Sequence, residues 1–267
     1  DRTRALAAGA TLALAEPVAE GYRKVQLVEP LQRQLKLKKT KMEEALKAYA
    51  AAADYGVADV STAATFRIAA LYQDFGKALM GSQRPKKLNK LELEQYNVLL
   101  EEQAFPFEEK AISLHETNAE RAAQGIFDDN VRGSFTALAQ MKPGRWNKPE
   151  RPDAASPLNE QGIALRNKGE FTKARETYEQ AIAAEPQRAT PVLNLAILHD
   201  LYLGERTKAQ ELYERYLVLA TPQDPNTAAV GKWLAEIKAR KPAAGGSSAA
   251  PTAANAAANV AVRKDTP

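Results

Sequence analysis

SPLNEQGIALRNKGEFTKARETYEQAIAAEP, residues 156–186, is followed by TPVLNLAILHDLYLGERTKAQELYERYLVLATP, residues 190–222, and the two stretches share one pattern. Leu158, Gly162, Leu165, Ala174, Tyr178, Ala181 and Pro186 set it, and Val192, Leu195, Ala196, Ala209, Tyr213 and Pro222 repeat it 34 to 36 residues later. Apolar residues return at three- and four-residue steps, so each stretch reads as a pair of amphipathic helices. Ser156-Pro157 and Thr190-Pro191 each offer an N-cap followed by a first-turn proline. Gly169 and Gly204 fall where the first helix of each pair must turn back. The offset grows from 34 on the first helices to 35 between Ala174 and Ala209, which places one added residue near Leu203-Gly204.

The residue types imply close helix–helix approach. A mid-helix glycine costs about 1 kcal/mol relative to alanine, so Gly162 makes sense where a neighbouring ring packs over it, and Tyr178 is the expected ring. Beyond the second pair, Thr227 to Arg240 forms a further amphipathic helix whose Val230, Trp233, Leu234 and Ile237 would cover the open end. Trp233 is read as packing rather than as a ligand platform.

Working outward, sustained strand alternation is absent and helical spacing continues. After Pro30, Leu31, Leu35, Met42, Leu46 and Tyr49 line one stripe that ends near Tyr55-Gly56. A second helix begins around Asp59 or Ser61, carries Ile68, Tyr72, Phe75 and Leu79, and stops at Gly81 and Pro85, giving an antiparallel hairpin with the first. Asn89 and Glu92 form a capping box, with Tyr96, Leu99 and Leu100 as the buried face beyond it. Pro106 is expected to split the next stretch into a helix ending at Ala104 and another from Phe107 to Gln124, with Gly125 in the left-handed conformation. Asp128 caps a helix through Met141. Four prolines (Pro143, Pro149, Pro152, Pro157) then break the chain. The expected organisation is a helical hairpin region over 1–142, a proline-rich linker over 143–155, two repeats plus a capping helix over 156–240, and a disordered Ala/Gly/Ser/Pro-rich tail over 241–267. The fold class is all-α, a solenoid of antiparallel helix hairpins.

Composition narrows function. The 267 residues contain no cysteine and only two histidines, His115 and His199, which removes disulfides, Cys/His zinc sites and thiol nucleophiles; no metal site and no cofactor is expected. The net charge is +4, spread as +3 over 1–152, −1 over 153–240 and +2 over 241–267, so no segment is basic enough for phosphate neutralisation to be its main role and no nucleic-acid partner is expected. The densest basic run, Arg33, Lys36, Lys38, Lys39 and Lys41, reads as a solvated helix face, with anionic lipid or nucleic acid as the alternative. No apolar run has the length of a transmembrane helix. The chain opens at Asp1 rather than methionine, which points to a mature product or a fragment.

Residues 156–240 resemble the tetratricopeptide-repeat proteins, whose signature is this small residue, Ala-x-x-x-aromatic and exit proline. The stretches Ala53-Asp-Tyr-Gly-Val-Ala-Asp, Ser61-Thr-Ala-Ala-Thr-Phe-Arg-Ile and Tyr96-Asn-Val-Leu-Leu-Glu-Glu-Gln-Ala-Phe-Pro-Phe-Glu-Glu-Lys-Ala-Ile look like a region of large bacterial tetratricopeptide proteins. That resemblance implies a periplasmic or envelope setting beside Tol/Exb-type motor components, some of them in gliding machinery. Against the family, the many upstream repeats are missing.

The first helices of such repeats line a concave groove, where Asn159, Ile163, Arg166, Asn194, Ile197 and Asp200 are expected to bind a protein or peptide partner. The family's carboxylate clamp uses lysine, asparagine and arginine; here Asn159 and Ile163 replace the first two and only Asn194 matches, so a chaperone-tail receptor is disfavoured. Ile163 and Ile197 favour an apolar or helical partner segment. No catalytic residue is expected: the acid pairs Glu43/Glu44, Glu101/Glu102 and Glu108/Glu109 diverge around their helices. His115 reads as an exposed or hydrogen-bonded side chain rather than a lone acid/base, and His199 as inter-helix packing. The expected function is a non-catalytic scaffold, with an enzyme sited between the helical halves or a basic surface binder as rivals.

Overall fold

The computed structural model describes residues 2–221 and 223–239, and every regular element among them is helical. The tail expected over 241–267 and the exit proline Pro222 lie outside the described residues. The helices are α1 (Arg2–Arg23), α2 (Leu31–Ala53), α3 (Ala58–Met80), α4 (Lys90–Ala122), α5 (Asp129–Met141), α6 (Pro143–Trp146), α7 (Pro157–Asn167), α8 (Phe171–Ala184), α9 (Ala189–Ile197), a π-helical turn (Leu198–Tyr202), α10 (Arg206–Leu219) and α11 (Thr227–Ala239). None is long and apolar enough to cross a membrane. The chain divides into two compact units between Asn118 and Ala119, inside α4. The proline-rich stretch 143–155, expected as a linker, therefore lies within the second unit.

In the first unit α1, α2 and α3 pack on one another. Periodicity does not pick out α1, because its buried stripe is Ala8, Ala15, Ala19 and Tyr22, and alanine carries little hydrophobic signal. The α2 stripe is buried from Met42 through Leu46 and Tyr49, and Ile68, Tyr72, Phe75 and Leu79 form the inner face of α3 as expected. Lys38 departs from the solvated face assigned to the basic run. It occupies the stripe position between Leu35 and Met42, is only 4% exposed, and donates to the carbonyls of Tyr22 (3.3 Å) and Val25 (2.8 Å). Its ammonium thus sits against one carbonyl in the last turn of α1 and one just beyond it, where positive charge is favoured.

Pro106 does not divide α4, contrary to expectation. Proline in a helix interior forfeits a bond and costs about 3 kcal/mol, yet Pro106, like Glu102 one turn before it, sits on the exposed face. Packing holds both flanks: Ala104 is buried, and the Phe107 ring lies 4.4 Å from Phe75 and 6.4 Å from Tyr72. Pro17 inside α1 is also on the exposed face. The Asn89/Glu92 capping box forms, at 3.0 and 2.8 Å, but Leu99 faces solvent while Leu100 turns inward. His115 is buried rather than exposed, with Phe66 edge-on at 5.4 Å.

In the second unit the turn glycines and the Asp128 cap follow the sequence punctuation, whereas Ser156, at the N-cap of α7, makes no side-chain cap bond. Gly125, Gly169 and Gly204 are all left-handed, and Asp128 accepts from the Val131 amide at 2.8 Å. Helix α9 begins at Ala189, so Thr190-Pro191 lies inside its first turn rather than opening it; proline is tolerated there because those amides have no intrahelical partner. The added residue of the second stretch is absorbed by the π turn, where the Leu203 amide reaches back five residues to the Leu198 carbonyl at 3.0 Å.

Candidate functional site

Gly162 and Tyr178 meet as expected. A Cβ built on Gly162 would overlap Cε1 of the Tyr178 ring and stand 2.7 Å from Cδ1 and Cζ, so only glycine lets α7 and α8 approach this closely. Tyr178 and Tyr213 are both fully buried, and both aim their hydroxyls at carboxylates: Tyr178 donates to Glu150 at 2.8 Å and Tyr213 to Asp200 at 3.2 Å. Glu150 belongs to a run of chain, 147–153, that has no regular structure and lies across α7, α9 and the π turn.

Proline favours extended backbone at Lys148 and Arg151, since each precedes one and is kept from the helical region. Burial alternates with the period of two of an extended chain: Asn147 and Pro149 are exposed, Lys148 and Glu150 buried. Lys148 Nζ donates to Asp200 Oδ2 at 2.6 Å and lies over the rings of Tyr213 (5.8 Å) and Trp233 (5.4 Å). Arg145 closes the same carboxylate, with Nη1 3.0 Å from Asp200 Oδ1 as an ion pair and Nη2 donating to the Asp200 carbonyl at 3.3 Å. Two residues on, Glu150 accepts from Arg166 Nε at 2.6 Å. Between and beside these pockets the main chain itself is gripped. The Arg151 amide donates to Asn194 Oδ1 at 2.7 Å, and the Arg151 carbonyl accepts from Asn194 Nδ2 (2.8 Å) and Asn159 Nδ2 (3.1 Å). Asn194 also donates to Asn159 Oδ1 at 2.8 Å. Asp153 ends the run, paired with Arg188 at 2.9 Å.

Burial and the facing charges act in opposite directions on these groups. Burial pushes the Glu150 carboxyl up, against the opposing pull of Arg166 and Tyr178. It pushes the Lys148 ammonium down, opposed by Asp200. The Tyr178 hydroxyl is raised by burial and by Glu150, so it stays a donor.

Four of the six expected groove residues, Asn159, Arg166, Asn194 and Asp200, therefore converge on the chain's own residues 148–151. Ile163 is half-buried, and Ile197 is completely buried and presents no surface to a partner. Periodicity overlooked Lys148, Glu150 and Arg151; the alternation of Lys148 and Glu150 between prolines was the available signal. Trp233 packs 6.0 Å from Tyr213, as a covering helix requires, and also walls the Lys148 pocket. His199 is buried with Nδ1 2.7 Å from Glu205 Oε2. The paired glutamates are exposed, and no group of three or more metal-ligating side chains occurs among the described residues. No family model, curated protein or solved structure matches the chain.

Proposed function

We propose that the chain is a non-catalytic adaptor of the tetratricopeptide kind, an α-solenoid whose groove along α7, α9 and the π turn holds an extended segment of a partner protein. The observation that carries this reading is the side-chain amide of Asn194 paired with both main-chain groups of Arg151. Such pairing recognises a backbone whatever its side chains, as strand-adding receptors do. The 34-to-35-residue recurrence and the Gly162–Tyr178 contact support the repeat assignment. The setting, a bacterial envelope assembly associated with a motor or with gliding, follows from the resemblance of residues 53–59, 61–68 and 96–112.

A photo-crosslinking residue at half-buried Ile163, with the exposed Val218 position as control, tests the adaptor reading in cells. A protein adduct at 163 that disappears with Asn194→Ala and is absent at 218 supports it. Identical adducts at both positions contradict it.

A further inference from the structure

We propose that this groove selects an extended peptide carrying Lys-x-Glu, and that residues 147–153 are an internal copy of that ligand, which a partner segment of the same chemistry displaces. The inference rests on the adaptor reading and adds the motif to it.

Three observations lead here. The run buries no apolar side chain: the groups it sinks are the Lys148 ammonium and the Glu150 carboxylate, while Pro149 and Pro152 stay exposed. Hydrophobic core segments are held by apolar burial, whereas this one is held as a ligand is, by charge-assisted hydrogen bonds and main-chain pairing. Buried ion pairs return little net free energy over their desolvation, so one such segment exchanges for another of like charge at small cost. The two pockets also differ in sign. Asp200, walled by Tyr213 and Trp233, takes a cation, and Arg166 with the Tyr178 hydroxyl takes a carboxylate. They accept residues two apart on an extended strand, roughly 7 Å, with Asn194 and Asn159 fixing the backbone just beyond. A peptide with the charges exchanged would place ammonium against Arg166 and carboxylate against Asp200.

Tethering sets the competition. The internal segment is connected on both sides, and a short tether gives an effective concentration of the order of millimolar. A free peptide of micromolar intrinsic affinity is thereby weakened about 100- to 1000-fold in the intact chain.

The test uses a labelled peptide of residues 146–153, Trp-Asn-Lys-Pro-Glu-Arg-Pro-Asp, and the full chain bearing Lys148→Ser and Glu150→Ser, which withdraws the run's own charges from both pockets and leaves Arg145 on Asp200. Fluorescence anisotropy is expected to show binding at least about 100-fold tighter than to the wild-type chain, lost on addition of Asn194→Ala and for a peptide with Lys and Glu exchanged. A second protein guards against misfolding of the double variant: a protease site placed between the exposed Ala154 and Ala155 frees one end of the segment, and cleavage is expected to unmask the same binding. The motif is overturned if the folded double variant, or the cleaved chain where the variant does not fold, ignores the peptide at 1 mM (roughly the tether concentration), or if it binds the charge-exchanged peptide equally. Should a partner crosslinked at position 163 persist alongside that result, the adaptor reading stands and the motif alone fails.

Discussion

Asn194 and Arg151, 43 residues apart, are joined like neighbouring strands, with the asparagine side chain replacing one strand: Oδ1 accepts the Arg151 amide at 2.7 Å and Nδ2 donates to its carbonyl at 2.8 Å. Asn194 is completely buried. Its replacement by alanine strands the Arg151 amide and the Asn159 amide oxygen, at about 1–3 kcal/mol for each group left unsatisfied. Urea unfolding of Asn194→Ala is expected to show a loss of this order, and an unchanged midpoint would mean that water replaces the side chain without cost.

Gly162→Ala is expected to destabilise even though alanine is the better helix former by about 1 kcal/mol. The new methyl would enter the Tyr178 ring, and overpacking of this kind costs about 1–3 kcal/mol. Ala174→Leu, at a fully buried position of α8, is expected to lower the thermal midpoint similarly. A midpoint equal to or above wild type for both would contradict the close contact of α7 and α8.

Lys38 separates from its basic neighbours by experiment. Lys38→Glu sets a carboxylate against the Tyr22 and Val25 carbonyls and is expected to cost more than about 2 kcal/mol. Charge reversal at the exposed Lys36 and Lys39 is expected to stay within about 0.5 kcal/mol. Equal effects at the three positions in chemical denaturation would return Lys38 to the solvated face.

Much of the fold was legible because the side chains that decide it act locally or at repeat spacing. The recurrence of a small residue and a tyrosine, Gly162/Tyr178 and Ala196/Tyr213, declares itself at repeat spacing, and the Asn89 and Asp128 caps and the turn glycines within a few residues. Helix α1 did not, because alanines carry its buried face, and Lys38 did not, because a lysine in an apolar stripe looks like an interruption. Pro106 signalled a break that packing around Phe107 overrides. Asn159, Arg166, Asn194 and Asp200 share one helical spacing in the sequence, but the residues they contact did not show there: Glu150 pairs with Arg166 across 16 residues and Lys148 with Asp200 across 52, and no periodicity links such partners.

His115 supplies a pH dependence. Burial pushes its imidazole down to about 4 from an ordinary value of 6.5, so the folded chain holds it neutral while the unfolded chain protonates it first. Its contribution is present above pH 6.5 and is lost as pH falls toward 4, about 3 kcal/mol at full effect. Stability of His115→Gln is expected to fall less steeply than wild type between pH 6.5 and 4, and parallel profiles would contradict the assignment. An NMR titration of the histidine ring checks the value directly.

Hydrogen exchange at the Arg151 amide tests most directly whether residues 147–153 are gripped as a ligand. This amide belongs to no helix, so its protection reports the Asn194 bond alone. The expected result is slow exchange in the wild-type chain and exchange at the rate of unstructured peptide in Asn194→Ala; unstructured rates in the wild-type chain would contradict the account.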